Sequence, residues 1–174
     1  MKMIDGLLAE LEQEAETTRR VLERIPQAHL SWKPHPKSMS LGQLALHVAT
    51  VPGNVAELAA MDTIPEPPNF VQPEAATASE LVPSLTESVA KAKRALGGFD
   101  DARMGAMWRL QSGGKDIMAM PRVAFVRAIM LNHWYHTAAS YSCISGCSIN
   151  PCRQCTVRPP TRIRSRLERS AIRP

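Results

Sequence analysis

Apolar residues recur at helical spacing in four segments of this chain, and that repetition limits the fold to a packed set of helices. The first segment runs from Met3 to Ile25, with apolar or small residues every three or four positions. Pro26 follows directly and cannot continue a helix. The inward positions are Ile4, Leu7, Leu8, Leu11, Ala15, Thr18, Leu22 and Ile25. We therefore expect an amphipathic first helix that buries one face.

Capping residues mark the starts of two further helices. Ser40 is a suitable N-cap for a second helix, which Pro52 and Gly53 should kink or interrupt. Residues 62–76 contain four prolines and predict an irregular crossover. Thr77 and Glu80 form the pattern of a capping box, which predicts a third helix ending near Leu96.

The fourth helix is predicted from Pro121 to His136, apolar around most of its circumference and therefore buried. Residues 99–120 precede it, with two adjacent glycines at 113 and 114, and predict a turn-rich connection or a short hairpin. Four helices with one long crossover predict an all-α four-helix bundle whose final helix is truncated or disturbed.

The charge is unevenly distributed and divides the chain near residue 137. Residues 1–136 carry 14 Lys and Arg against 15 Asp and Glu, whereas residues 137–174 carry 7 Arg and a single Glu. We therefore expect a nearly neutral helical domain over 1–136 and a basic, irregular tail over 137–174. Without an apolar run long enough for a membrane helix or a signal peptide, the expected compartment is the cytosol.

Two histidines on different predicted helices are the main candidates for chemistry. His47 lies at the edge of the apolar stripe of the second helix, and His133 lies on the fourth. Imidazoles that converge inside a bundle can bind a divalent metal, although spacing alone favours a hydrogen-bonded histidine of the core or its boundary. His29 and His35 lie in a predicted loop and are expected to be solvated or structural.

Two motifs resemble the DinB-like family of YfiT-like metal-dependent proteins. They are the stretch from Trp32 to His47, WKPHPKSMSLGQLALH, and the stretch from Met130 to His136, MLNHWYH. The resemblance covers about residues 3–136 and implies a four-helix bundle, often dimeric, that binds a divalent metal, most commonly zinc or nickel, through three histidines. It implies ligand roles for His47 and His133, and His136 is a weaker candidate. The third family ligand, four residues after His133 and usually within a run HHRGQL, is Thr137 here.

The departure from the family motif coincides with the change in composition, and a shifted reading frame accounts for both. If one nucleotide is missing near the codon of His136, each original codon combines the third base of one present codon with the first two of the next. His136 and Thr137 then give a codon for His or Tyr, and Ser140 and Tyr141 give one for Leu. With only wobble bases free, the tail can be read as HRGQLFVYLRLLDQPLP, which restores the family run and continues the helix.

The tail also contains all four cysteines, which suggests two other readings. Cys143, Cys147, Cys152 and Cys155 resemble a four-cysteine zinc site only superficially, because the usual two-residue spacing occurs only between the last pair. The arginines of the tail could form a nucleic-acid arm. A frameshifted tail makes both readings less favoured, and we expect neither disulfides nor a nucleic-acid partner.

Three function classes follow from these observations. The first is a metal-dependent protein of the hydrolase or thiol-dependent transferase class that the resemblance implies, with an incomplete metal site in this chain. The second is a non-catalytic stress-response or binding bundle. The third is a Cys- and Arg-rich nucleic-acid binder that depends on the tail. The sequence assigns no general base, identifies no small-molecule substrate and leaves a homodimer open.

Overall fold

A computed structural model of the chain describes residues 2–69 and 71–140. The four cysteines and most of the predicted tail lie outside these residues, so the zinc and nucleic-acid readings of the tail stay predictions. Residues 137–140 are described, and they continue the last helix. Within the described ranges, no helix combines the length and apolarity needed to cross a membrane.

Four long helices pack around one apolar core, and a fifth helix is short. The helices are α1 (Met3–Leu22), α2 (Leu41–Ala60), α3 (Leu81–Leu96), α4 (Asp101–Gly105) and α5 (Arg122–Phe125). Helix α5 continues as a π-helix over Val126–Asn132 and then as α-helix over 133–140; we call the whole of 122–140 the C-terminal helix. Short 3-10 turns occupy Gln27–His29 and Ala78–Glu80.

The chain is mostly helical but contains a small sheet, so the all-α prediction is corrected. The strands are β1 (Thr63–Ile64), β2 (Met107–Ser112) and β3 (Lys115–Pro121), in the order β1-β2-β3. Strands β2 and β3 form the antiparallel hairpin that the sequence allowed, and β1 pairs parallel to β2. Gly113 and Gly114 form the turn at φ +56° and +76°, a backbone region that glycine adopts without strain.

Both predicted helix caps are present. The Ser40 side chain accepts a hydrogen bond from the Gln43 amide at 3.1 Å, while the Gln43 side chain accepts one from the Ser40 amide at 2.9 Å. Thr77 and Glu80 form the same reciprocal arrangement before α3. Each box satisfies amides that a helix start leaves without intrahelical partners, which fixes where these helices begin.

Helix α2 runs without interruption through Pro52 and Gly53, contrary to the predicted break. Proline has no N–H and leaves the carbonyl of Val48, four residues earlier, without its usual donor. The indole Nε1 of Trp134 donates to that carbonyl at 2.9 Å. The Ser88 hydroxyl meanwhile accepts from the Gly53 amide at 2.8 Å and donates to the Thr50 carbonyl at 3.1 Å. Neighbouring helices therefore supply the bonds that allow a helix to continue past a proline.

Arginine and tryptophan side chains satisfy the C-terminal carbonyls of α2. The guanidinium of Arg122, which is fully buried, donates to the carbonyls of Ala59 at 2.7 Å and Met61 at 3.3 Å. Arg103 donates to the Ala60 carbonyl at 2.9 Å. Trp108 donates to the Leu58 carbonyl, also at 2.9 Å. This end of α2 therefore has a partner for each carbonyl from residue 58 to residue 61.

Candidate functional site

The imidazoles of His47 on α2 and His133 on the C-terminal helix face each other. Their Nε2 atoms are 3.3 Å apart, and the rings meet edge to face with centroids 5.5 Å apart and planes at 78°. This is the separation expected for two ligands of one ion. Two nitrogens that lie about 2.0–2.1 Å from a tetrahedral zinc ion are themselves about 3.3–3.4 Å apart.

The residues that follow the two histidines hold the helices in this register. His47 precedes Val48, and His133 precedes Trp134, whose indole donates to the Val48 carbonyl. Trp134 is fully buried, so it fixes this part of the C-terminal helix against α2 by packing as well as by the hydrogen bond. The Pro52 that removes the usual donor to Val48 therefore contributes to the position of both imidazoles.

The histidine pair lies at the surface of the core and not in the bundle interior, where the sequence predicted that the two imidazoles would meet. His47 is half-buried and His133 is exposed. The inward position on this turn of the C-terminal helix is taken by Trp134, and the next residue toward the core is Leu131, also fully buried. The π-helical turns just before His133 are wider than α-helical turns, so spacing at 100° per residue does not describe its direction.

The site favours a neutral imidazole at His47. Burial lowers the pKa of His47, and the neighbouring His133 lowers it further, while a hydrogen bond with the side chain of Gln72 acts in the opposite direction. The net shift is downward from 6.5. A neutral ring keeps one nitrogen lone pair available for a metal ion or for a hydrogen bond from His133.

The two weaker ligand positions do not join the pair. Thr137 is one turn beyond His133, and its hydroxyl donates to the His133 carbonyl at 2.7 Å. His136 is exposed and, with Thr137, lines an open cavity of about 410 Å³ beside Met39 and Leu44. Among the contacts of the described residues, none connects the His136 ring to either His47 or His133.

The pair provides two good donors for a divalent ion, but not three. Across residues 2–69 and 71–140, no group of three or more His, Cys, Asp or Glu side chains is placed to hold one ion. The two imidazoles, at the observed separation, could occupy two positions of a zinc or nickel ion.

The other histidines have separate surroundings, and one site residue was missed by sequence reasoning. The Nδ1 atom of His35 accepts from the Lys37 amide at 3.1 Å, whereas the buried Nδ1 of His29 has no partner in the described part of the chain. Gln72, which offsets part of the lowering of the His47 pKa, lies in the proline-rich crossover. The crossover has no helical or strand periodicity, and the two family motifs that contain the histidines do not include Gln72.

Comparisons with known proteins agree with this fold. The family model of the DinB superfamily matches residues 10–136. A crystal structure of a DinB-like protein from Bacillus cereus is similar with a TM-score of 0.64 at 19% identity, covering 83% of this chain and 92% of that one. A DinB-like protein from Bacillus subtilis is similar with a TM-score of 0.61 at 15% identity, covering 81% and 90%. A search of curated proteins finds no match. Since the family model spans most of the chain, this protein belongs to the DinB superfamily.

Proposed function

We propose that this chain is a metal-binding DinB-like protein in which His47 and His133 hold a divalent zinc or nickel ion. The observation that supports this most directly is the 3.3 Å separation of the two Nε2 atoms, which belong to histidines 86 residues apart in sequence. The buried Trp134–Val48 hydrogen bond next to the pair holds the two helices together at this point. The reaction class is that of a hydrolase or a thiol-dependent transferase, as the family resemblance implies.

The roles of the residues follow from their positions. A divalent ion held there would lower the pKa of a bound water or thiol, which supplies a nucleophile at neutral pH. His47 would provide a neutral donor on the side of the core, and the exposed His133 a donor on the side of solvent. Its exposure leaves room for a substrate to approach the remaining coordination positions.

We further propose that the site lacks its third protein ligand because the reading frame changes after about residue 136. The match to the family model ends at residue 136, and the net charge changes sign at the same place. The threonine at 137 has a shorter side chain than histidine. Its hydroxyl is a poor ligand for these metals and is already bonded to a backbone carbonyl.

Metal affinity across a series of variants tests this function. The unmodified chain should bind Ni²⁺ and Zn²⁺ weakly, and His47→Gln or His133→Gln should abolish that binding. Thr137→His should tighten it by at least about tenfold, since even the loss of groups that only orient a ligand costs about 10–100-fold. A version with the restored reading frame should bind most tightly, because it also rebuilds the apolar turns after the site.

Calorimetric titration and metal content after chelation and reloading provide the measurements. Equal, tight binding by the unmodified chain, by Thr137→His and by the restored version would show that position 137 is not a ligand position. Unchanged binding in His47→Gln would reject the site itself. His35→Gln is the matched control, since that exposed histidine is bonded within its own loop.

A non-catalytic binding or stress-response bundle is the second candidate. It is favoured by the absence of a three-donor cluster among the described residues. In that case the two imidazoles only hydrogen-bond to each other, and the unmodified chain and Thr137→His should both be purified without metal. The nucleic-acid reading predicts salt-dependent DNA binding that disappears when residues 137–174 are deleted.

A further inference from the structure

The C-terminal helix keeps one face buried although the spacing of that face is not α-helical. Fully buried residues occupy every fourth position, namely Arg122, Val126, Met130 and Trp134. On an α-helix, with about 100° per residue, each step of four turns the direction by about 40°, so Trp134 would point about 120° away from Arg122. One extra residue taken up by π-helical turns removes about 100° of this drift. The π-helix over Val126–Asn132 therefore aligns the two ends of the buried face.

The same π-helical turns decide which residue faces His47. In the structure His133 meets His47 at the surface, and the next residue, Trp134, is buried. Without the extra residue, each side chain after the π-helix would advance by about 100°, the angle of one position. The exposed Asn132 would then take the direction of His133, and His133 would take that of Trp134 toward the core. The histidine pair therefore requires the π-helical form of the C-terminal helix.

Glu10 of α1 joins a residue near the start of the π-helix to a residue beyond its end. Its carboxylate accepts a hydrogen bond from the Tyr135 hydroxyl at 2.8 Å and forms an ion pair with Arg127. These two partners are eight positions apart, which is about 80° on an α-helix but about 20° when the π-helix takes up one residue. They share a face only in the π-helical form. A single carboxylate that bonds both therefore favours this form.

We propose that Glu10 is a positioning residue for His133. By bonding Arg127 and Tyr135 together, it stabilises the π-helical form of the C-terminal helix. Only this form brings the His133 imidazole against that of His47. The histidine pair is thereby coupled to α1, a helix that supplies neither of its imidazoles. The metal-binding role of the pair belongs to the proposed function, whereas the positioning is a property of the metal-free protein.

The hydrogen-bond pattern of the C-terminal helix in the metal-free full chain tests the positioning role. Two NMR signatures mark the native form: amide–carbonyl couplings across i→i+5 hydrogen bonds within 126–132, and nuclear Overhauser effects between the His47 and His133 rings. Glu10→Ala should weaken both together and populate i→i+4 couplings. Glu12→Ala is the matched control, because Glu12 forms the same kind of ion pair from α1 but with a lysine of α3. It should leave both signatures unchanged.

A deletion separates positioning from general stabilisation of the fold. Removing the exposed Ala128 takes one residue out of the π-helix, so that a plain α-helix presents His133 in its native direction. In this background Glu10→Ala should no longer affect the contact between the two imidazoles. An equal loss of that contact with and without the deletion would show a merely structural role and overturn the proposal.

A second route removes the same two bonds from the side of the C-terminal helix. Arg127→Met combined with Tyr135→Phe leaves Glu10 in place and should give the same mixture of π-helical and α-helical forms as Glu10→Ala. This variant also serves if Glu10→Ala does not fold. Native i→i+5 couplings and ring contacts in a folded Glu10→Ala protein, or in the double variant, overturn the positioning role.

The Ni²⁺ affinity of these variants in the Thr137→His background is the one readout that rests on the proposed function. Glu10→Ala should weaken Ni²⁺ binding by about 10–100-fold, the usual effect of losing a group that only orients a ligand, and deletion of Ala128 should restore it. Unchanged Ni²⁺ affinity in a protein that has lost the π-helical form would reject His133 as a ligand, while the positioning role stands. Weakened binding with the π-helical form intact would overturn the positioning role and leave the metal site.

Discussion

The two halves of α2, before and after Pro52, differ in how their polar groups are satisfied. In the second half, side chains from α4, β2 and the C-terminal helix bond the terminal carbonyls, and the fully buried Arg122 makes two of these bonds. In the first half the backbone is also fixed, by the capping box and the crossover, but the His47 Nε2 faces the Nε2 of His133 and not a main-chain group. The second half stabilises the fold, and the first half retains donor atoms that a ligand can use.

The largest expected effect concerns the second half of α2, whose terminal carbonyls are bonded by side chains. Arg122→Met should destabilise the protein by about 3–5 kcal/mol, because the carbonyls of Ala59 and Arg103 would lose charged donors in a buried place. Urea unfolding measures the loss. Arg127→Met is the control on the same helix and should cost far less, since Arg127 is exposed and pairs with Glu10 at the surface.

If the two halves of α2 are independent, Arg122→Met should leave the histidine pair in the first half unchanged. At temperatures where the variant remains folded, the edge-to-face arrangement of His47 and His133 should persist, as seen in the ring signals of both histidines. Loss of that arrangement in a folded Arg122→Met protein would mean that the two halves of α2 are not independent.

The next effect concerns the boundary between the halves. Trp134→Phe keeps most of the packing but leaves the Val48 carbonyl without its donor, which should cost about 1–3 kcal/mol. Alanine at position 52 restores a backbone N–H that can bond the same carbonyl. The cost of Trp134→Phe should therefore be smaller in a Pro52→Ala background. Additive losses in the double-mutant cycle would show that the indole does not act as the replacement donor.

A tightly packed glycine at the same boundary gives an effect of similar size. A Cβ at Gly53 would lie 2.8 Å from the Ser88 carbonyl oxygen and 3.0 Å from the Ser88 Cα, so Gly53→Ala should force α2 and α3 apart. Overpacking of this kind costs about 1–3 kcal/mol. Gly6→Ala in α1, where nothing lies within 4 Å of the added Cβ, should instead stabilise by about 0.5–1 kcal/mol. In thermal unfolding, a Tm below that of the native protein for Gly53→Ala and above it for Gly6→Ala would confirm the contrast.

Local sequence patterns predicted where helices start and which two histidines come together, but not the long-range contacts that connect the helices and strands. Ser40 and Thr77 were identified as caps because a cap depends on residues three positions away. The uninterrupted α2 was missed because Trp134 and Ser88, which compensate for Pro52 and Gly53, are distant in sequence. The small sheet was only partly foreseen, since the pairing of β1 with β2 connects segments more than 40 residues apart.

The smallest expected effect is the pH dependence that His47 adds to stability. Its pKa in the folded protein is below 6.5, first because burial disfavours the charged ring and second because His133 is close. At a pH between the lowered pKa of the folded protein and the ordinary value of 6.5, the unfolded chain therefore binds more protons than the folded protein. The stability associated with neutral His47 is fully present above about pH 6.5 and decreases as the pH falls through this window. His47→Gln should flatten this part of the stability curve, as measured by urea unfolding between pH 5 and 7. His133→Gln should raise the His47 pKa only part of the way to 6.5, because burial, the larger cause, remains. An NMR titration that places the native His47 pKa at or above 6.5 would contradict this account, and with it the neutral donor proposed for the first half of α2.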